Sequence, residues 1–352
     1  MQKVKLGFLG CGFMGQLAHM QNYAALDTCE IVAITDAKHE QAKKAAQAYF
    51  IPKVYASATE MLADPDIDAV VASQQYNNHV NIVCDVLNAG KHLLTEKPLC
   101  LYPQNGKRLV ECAAKNKKIH MVGNHKRSDP ATEYALKLIN EWKASGEMGK
   151  LNYIRLSITH GDWICGSAGV NRPIVTSEEN AAYTPEQIPD GVDPAISDKY
   201  NYFVNNYIHQ VNLMRYLLGE DYRLAYGDRS GVLLATESVS GVPGVIEMDA
   251  FHSTNKWHEF AMVCFEKGYV RISLAAPLAS QRAGEVTVFA DNGGGGVFTS
   301  PVLPNISAMR NQAINFIKAV NGEIAPPCPS SEAIKDLEFA MEYFNFIRDG
   351  HI

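Results

Sequence analysis

VKLGFLGCGFMG, residues 4–15, is the stretch that decides the fold. A short apolar run from Val4 to Leu9 leads into Gly10-Cys11-Gly12-Phe13-Met14-Gly15, the pattern G-x-G-x-x-G, and a helix-forming stretch follows through Tyr23. Strand, glycine turn and helix in that order open a dinucleotide-binding unit. The first glycine makes the tight turn, the second lets a pyrophosphate approach the backbone, and the third lets helix and strand pack closely. The head of the helix adds N–H groups with no partner inside the helix and the positive end of a dipole.

Outward from this turn, strand and helix patterns alternate. EIVAITD (30–36) is a second buried strand, and it closes on Asp36, 26 positions after Gly10. A carboxylate there accepts the hydroxyls of an adenosine ribose and repels a 2′-phosphate, so NAD is expected rather than NADP. Lys38, two residues on, softens that exclusion. Further strands are expected at 53–55, 68–73, 91–95 and 118–124. Helices are expected at 38–49, from Thr59, at 78–89 with Gly90 as its stop, and at 103–116. The expected fold class is α/β, with residues 1–124 forming an NAD-binding domain on a doubly wound parallel sheet.

Beyond residue 124 the pattern changes. A helix is expected at 130–144 and a half-exposed strand at 151–160, followed by a Pro-, Gly- and Asp-rich stretch, 161–200, of little periodicity. A long irregular segment inside a globular chain is more often a functional surface than filler. NYFVNNYIHQVNL (201–213) has the apolar spacing of one amphipathic helix. The runs GVLLATE, GVIEMDAFH, EFAMVCF, GYVRISL and EVTVFA then predict an open, mostly antiparallel sheet, with GGGG (293–296) as a turn. Helices at 306–320 and 330–347 close a second α/β domain over 125–352.

Bulk properties narrow the function classes. The 352 residues exceed what one core usually serves. A net charge of −6 without a basic block argues against nucleic-acid and anionic-membrane partners. The eight cysteines form no C-x-x-C pair, which fits reduced thiols and a cytoplasmic setting. Neither a signal peptide nor a membrane span is expected. No H-x-x-x-H or clustered acidic pattern suggests a metal.

Three places carry candidate chemistry. Glu96-Lys97-Pro98 follows a strand of the first sheet, at the edge where open α/β sheets bind ligands. Lys97 there either donates to a substrate hydroxyl or is a surface lysine beside a loop proline, whose preceding bond could be cis. His209 is either a packing residue or an acid/base group. His125, Lys126 and Arg127, where the first domain hands over to the second, are substrate contacts or solvated loop charges. Arg155, His160, Asp162 and Trp163 follow on; Trp163 suits a sugar-stacking platform or a rim packing role.

GFLGCGFMG, DPDIDAVVAS, NNHVNIVCDVLNAGKHLLTEKPL and RSDP occur in that order, densely over residues 4–130. Together they resemble the Gfo/Idh/MocA oxidoreductases, the group of glucose–fructose oxidoreductase and inositol dehydrogenase. The resemblance implies a Rossmann domain followed by an α/β domain whose open sheet mediates homo-oligomerisation. It implies cofactor contacts at Gly10, Gly12, Phe13, Met14, Gly15 and Asp36, with His79 and Glu96 near the nicotinamide. It also implies Lys97 as the hydroxyl-binding lysine and His209 as general acid/base; Arg127, Asn205, Trp163 and His125 complete the candidate substrate contacts. Asn205 stands where the family has an aspartate, one helical turn from His209, and Gln75-Tyr76 replaces the family's Pro-Asn. The implied reaction is oxidation of a secondary hydroxyl of a sugar, glycoside (including C3 of a glucoside) or inositol, with hydride passing to nicotinamide C4. A glycosidase or lyase that keeps NAD and cycles it is the alternative; a binding protein with a vestigial site is a third class.

Overall fold

The computed structural model describes residues 3–165, 172–179, 182–190 and 192–350. The chain divides into two compact units, Met1–Asn124 with Gly169–Asn201 and Gln312–Leu337, and His125–Ala168 with Tyr202–Asn311 and Glu338–Ile352. Two later segments thus join the first unit, which a division into contiguous blocks at residue 124 does not include.

The first unit is built on six parallel strands: β1 (Val4–Leu9), β2 (Cys29–Thr35), β3 (Lys53–Val54), β4 (Ala69–Ala72), β5 (His92–Thr95) and β6 (His120–Val122). Their order is β3-β2-β1-β4-β5-β6, so the winding reverses between β1 and β4. The central strands are apolar runs with Leu6, Phe8, Val70 and Val71 fully buried, as a parallel sheet covered on both faces requires. Gly10 turns the chain at φ +95°, and helix 13–23 follows, wound as a π-helix over Gly15–Met20. The helix His39–Tyr49 stops at Phe50 and the helix Pro103–Asn116 at Lys117, both left-handed. Gly90, at φ +75°, follows the helix His79–Asn88. The short helix Ala58–Leu62 is capped by the Ser57 hydroxyl, which accepts the Glu60 N–H at 3.2 Å, so Thr59 lies inside it instead of opening it.

The late segment 312–337 belongs here because of its apolar face. Ala313, Phe316 and Ile317 enter the core around Phe8, Met20 and Tyr23. Phe316 meets the Tyr23 ring edge-on at 6.4 Å, and Tyr23 meets Phe8 at 5.9 Å. Burial of this kind is the main stabilising term of such a unit. A bridge between Met121 and Pro329 adds backbone pairing beside β6.

The second unit is an eight-stranded sheet of β7 (Leu151–Thr159), β8 (Tyr222–Gly227), β9 (Leu233–Ser238), β10 (Pro243–Met248), β11 (His258–Phe265), β12 (Gly268–Ser273), β13 (Glu285–Asp291) and β14 (Gly296–Thr299). The order is β14-β13-β12-β11-β7-β10-β9-β8. Only β7 and β10 pair in parallel; every other neighbouring pair is antiparallel. Ile154, Leu156, Ala261 and Val263 face the interior, and the helix Pro130–Ser145 closes over it with Trp142 edge-on to Phe265 at 5.3 Å.

The stretch expected as one helix over 201–213 is two. The helix Ser197–Asn206 ends and the helix Ile208–Leu218 begins across Tyr207, whose φ of −105° and ψ of −4° break the regular winding. Asn205 and His209 therefore lie on successive helices and do not share one uninterrupted turn. Among the described residues no helix is long and apolar enough to cross a membrane.

His120 on β6 and His79 are both fully buried, and burial depresses both imidazoles, His120 to about 3. A group neutral in the fold and of ordinary pKa when unfolded, about 6.5, contributes stability above that pH and loses it as pH falls toward the folded value. The melting temperature is expected to drop between pH 6.5 and 5, and to drop less steeply in His120→Gln. Equal slopes for the two proteins in a pH series of thermal melts would contradict this.

Candidate functional site

In the first unit, strand register fixes what stands at the carboxyl edge of the sheet. Leu9 pairs with Thr35 and with Ala72, and Ala72 pairs with Thr95. The residues that follow those strands, Asp36, Gly10, Ser73 and Glu96, therefore stand side by side. Each glycine of the turn has its own constraint. At Gly10 the positive φ itself demands glycine; at Gly15 an added Cβ would lie 2.5 Å from the Ser73 hydroxyl and 3.0 Å from the Gly10 carbonyl. At Gly12 an added Cβ would meet nothing within 4 Å. Open space beside a helix head is what a pyrophosphate needs, so the residues fit a dinucleotide. Phe13 is exposed and Met14 half-buried beside that opening.

Asp36 is tied into the same turn. One carboxylate oxygen accepts the Cys11 N–H at 2.6 Å and the other accepts the Lys38 N–H at 2.8 Å. Lys38 thus meets Asp36 through its backbone. Burial first, and then the Asp36 carboxylate, push the Cys11 thiol far above its ordinary value.

Lys97 is half-buried next to Glu96, and the Lys97-Pro98 bond is cis. The groups around it are held from beneath. His79, fully buried, sits with Nδ1 3.2 Å from the Pro98 carbonyl and 3.1 Å from the Leu99 carbonyl, so an N–H there donates to the backbone just after Lys97. Glu96 is buried, with one oxygen 2.7 Å from His19 Nε2 and the other accepting the Lys97 N–H. His79 and Glu96 are thus framing residues of the Lys97 segment. His19 carried no signal in the sequence beyond its position in the helix that follows the fingerprint.

The irregular segment supplies what motif reading missed. The Ile174 N–H donates to Gln16 Oε1 at 2.8 Å, and Gln16 Nε2 returns a bond to the Ile174 carbonyl at 3.0 Å. Both Glu178 oxygens accept backbone N–H groups of the helix His39–Tyr49, from Glu40 and Gln41 at 3.0 Å each. Glu186, buried, accepts the N–H groups of Leu101 and Tyr102 at 2.7 and 3.0 Å, just before the helix Pro103–Asn116. Tyr183 donates to Asn77 at 2.6 Å, one residue after the Tyr76 that departs from the family pattern. The described residues of this strap thus bond to the helix after the fingerprint, to the helix His39–Tyr49 and to the chain just before the helix Pro103–Asn116.

In the second unit, His209 lies in the first turn of the helix Ile208–Leu218 and is half-buried. The His125 ring meets it edge-on, with centroids 4.9 Å apart. Arg127 donates from Nε to Asn212 Oδ1 at 2.6 Å and stacks over the Tyr216 ring at 4.6 Å. Lys126 forms a buried ion pair with Glu259, whose same oxygen accepts Gln210 Nε2 at 2.7 Å, while Trp257 Nε1 donates to the other at 3.1 Å. All three basic residues are buried, so none is a solvated loop charge. Charges in that setting persist only with partners.

A second polar group stands nearby in sequence. Tyr207, at the break before His209, donates to Asp249 Oδ2 at 2.7 Å, and His160 Nδ1 lies 2.5 Å from that oxygen. Burial alone would raise the Asp249 carboxyl, but the His160 N–H, the Tyr207 hydroxyl and the imidazole outweigh it and hold it below the usual range. His252 joins His160 and Asp249 in a cluster of three possible ligands, the only one of its kind among the described residues. Trp163 is partly exposed, and its carbonyl accepts the Leu278 N–H at 3.1 Å. Arg155 pairs bidentately with Glu247 and Asp162 accepts the Ile164 N–H.

Residues 4–124 match the Gfo/Idh/MocA family profile, described as an oxidoreductase family with an NAD-binding Rossmann fold. The inositol 2-dehydrogenase/D-chiro-inositol 3-dehydrogenase of Lacticaseibacillus casei is 39% identical over 129 residues, 36% of this chain and 37% of that protein. The myo-inositol 2-dehydrogenase of Thermotoga maritima is 25% identical over 67% of this chain and 60% of its own length. The chain thus spans less than two thirds of the length of each of these curated relatives. The crystal structure of an NAD-binding oxidoreductase from Klebsiella pneumoniae superposes with a TM-score of 0.74 at 16% identity, covering 99% of this chain and 98% of that one, which shows a shared fold.

Proposed function

We propose that this chain, whose first domain is a Gfo/Idh/MocA NAD-binding Rossmann domain, is a dehydrogenase that oxidises a secondary hydroxyl of a polyol or sugar ring. The observation that carries this reading is the row of Gly10, Asp36, Ser73 and Glu96 at one sheet edge, open at Gly12, with Lys97 at its end. Relatives named as inositol dehydrogenases support the ring-polyol class. NAD is the proposed cofactor, because Asp36 closes β2 at the position where a carboxylate binds ribose hydroxyls and repels a 2′-phosphate. NAD when bound supplies a hydride acceptor at nicotinamide C4.

The chain's own groups do the rest. Gly10, Gly12, Phe13, Met14 and Gly15 hold the pyrophosphate side, and the frame of His79, Glu96 and His19 fixes the backbone of Lys97. Lys97, a three-donor cation, binds the reacting hydroxyl oxygen and stabilises the alkoxide as the C–H bond breaks. His209 removes the hydroxyl proton, or returns it in the reverse direction. His125, edge-on to His209, orients that ring. Arg127, through Asn212 and Tyr216, positions the helix face that carries it, while Asn205 and Trp163 contact substrate. With a neutral amide at Asn205, no carboxylate at that position tunes His209.

Myo-inositol, free aldoses and glucosides should be assayed for NADH absorbance with the wild-type chain, Lys97→Ala and His209→Ala. NADH should accumulate with at least one ring substrate, and each variant should lose about 10²- to 10⁴-fold in kcat/KM. Undiminished turnover in either variant contradicts the assignment, and product formation without net NADH would favour a cofactor-cycling lyase.

The proposed partner is a second copy of the chain on the outward face of the eight-stranded sheet. Tyr269, Phe289 and Phe298 form an aromatic ladder there, with centroids 5.8 and 5.1 Å apart, and Phe298 is 68% exposed on the edge strand β14. Exposed apolar patches and open edges of this sort are normally covered. Light scattering after gel filtration should give a multiple of the 38.7 kDa chain mass; a monomer at micromolar concentration contradicts this.

A further inference from the structure

The helix His39–Tyr49 starts three residues after Asp36, and in a dinucleotide-binding unit its head lies beside the adenosine ribose. A helix head of this kind is also a ready acceptor of phosphate, through free N–H groups and the positive dipole end. In this chain that head is not free. The carboxylate of Glu178, 137 and 138 positions away in sequence, takes the Gln41 and Glu40 N–H groups, and the Thr176 hydroxyl donates to it at 2.8 Å. The attachment is anchored on both sides, since the Thr176 N–H donates to Gln41 Oε1 and Ile174 exchanges two bonds with Gln16. The Glu40 and Gln41 N–H groups and the Thr176 hydroxyl hold the Glu178 carboxyl below its usual range, against a weaker opposing effect of desolvation. A fixed anion therefore sits where the phosphate of a 2′-phosphorylated cofactor would seek its donors.

We infer that Glu178 is the cofactor-selecting residue of this chain: it fills the anion position at the head of the second helix and, with Asp36, excludes NADP. The inference rests on the dinucleotide reading of the fingerprint proposed above. Asp36 alone leaves a gap in the discrimination, because its two oxygens are already engaged by the Cys11 and Lys38 N–H groups and Lys38 lies beside it. Glu178 closes that gap in two ways. It removes the N–H donors a 2′-phosphate would use, and it places a second negative charge near the ribose. A ribose 2′-hydroxyl needs neither those donors nor a cation, so the same arrangement tolerates NAD. Selection between the two cofactors thus depends on a residue far outside the Rossmann sequence, delivered by the strap.

The test is direct binding of NADH and NADPH to the full chain, read by nicotinamide fluorescence, which needs no substrate. Wild type, Glu178→Ala and Glu178→Gln are compared, each checked by thermal melt. Glu178→Gln keeps an acceptor on the N–H groups while removing the charge, so it separates charge from loss of the strap's anchor. Wild type should prefer NADH, and the ratio of NADPH to NADH dissociation constants should fall about tenfold or more in Glu178→Ala and by a smaller factor in Glu178→Gln. A ratio unchanged within about twofold in both variants, or a wild type that prefers NADPH, overturns the inference while leaving the dinucleotide site standing. A wild type that binds neither cofactor overturns the site itself and the inference with it.

Discussion

The first unit depends on one backbone constraint, the turn at Gly10. Its φ of +95° is open only to glycine without strain, and it swings the chain from the end of β1 into a helix within a few residues. The Gly10 N–H remains bonded to the Thr35 carbonyl, so the turn does not cost the sheet its pairing with β2. Ser73, after β4, closes the same turn by donating to the Gly10 carbonyl at 2.9 Å. Three strand ends are thereby locked together, and Gly12 is left facing open space. Every proposed cofactor contact inherits its position from that lock.

The described stretches 172–179 and 182–190 hold their course without regular secondary structure. Side chains of the unit receive the Ile174 and Thr176 N–H groups, Glu178 takes N–H groups at the head of the helix His39–Tyr49, and Glu186 takes those of Leu101 and Tyr102 just before the helix Pro103–Asn116. Glu178 and Glu186 both accept backbone N–H groups of the unit, in different settings. Glu186 is buried, and burial raises its carboxyl despite three hydrogen bonds; Glu178 is near solvent and is lowered by its bonds. The buried acid is a structural rivet, whereas the solvent-near one retains its charge at the head of the helix His39–Tyr49.

Much of the first unit was legible because its signals are local. A glycine fingerprint, an acid at the end of the second strand and apolar runs alternating with helical stretches are each readable within ten residues, and Leu9, Thr35 and Ala72 bear them out in register. The outer strands β8 and β14 were not read. β14 has no buried residue and β8 only two, so neither shows a two-residue alternation. The break at Tyr207 was hidden as well, because apolar spacing continues across it while the tyrosine hydroxyl is drawn to Asp249, 42 residues on. Lys126 offered only a substrate contact or a loop charge as readings, because its partner, Glu259, lies 133 residues away. The roles of His19, Glu178 and Glu186 are likewise set by long-range partners, which no short pattern encodes.

The central claim is that the opening at Gly12 receives a dinucleotide pyrophosphate. Titration of NADH into the wild-type chain and into Gly12→Val tests it, since the new side chain enters open space and Gly12 does not occupy a left-handed conformation. Wild type should bind NADH saturably and one-to-one, and the variant at least about tenfold more weakly, with melting temperatures alike. Equal NADH affinity in the two folded proteins would contradict it.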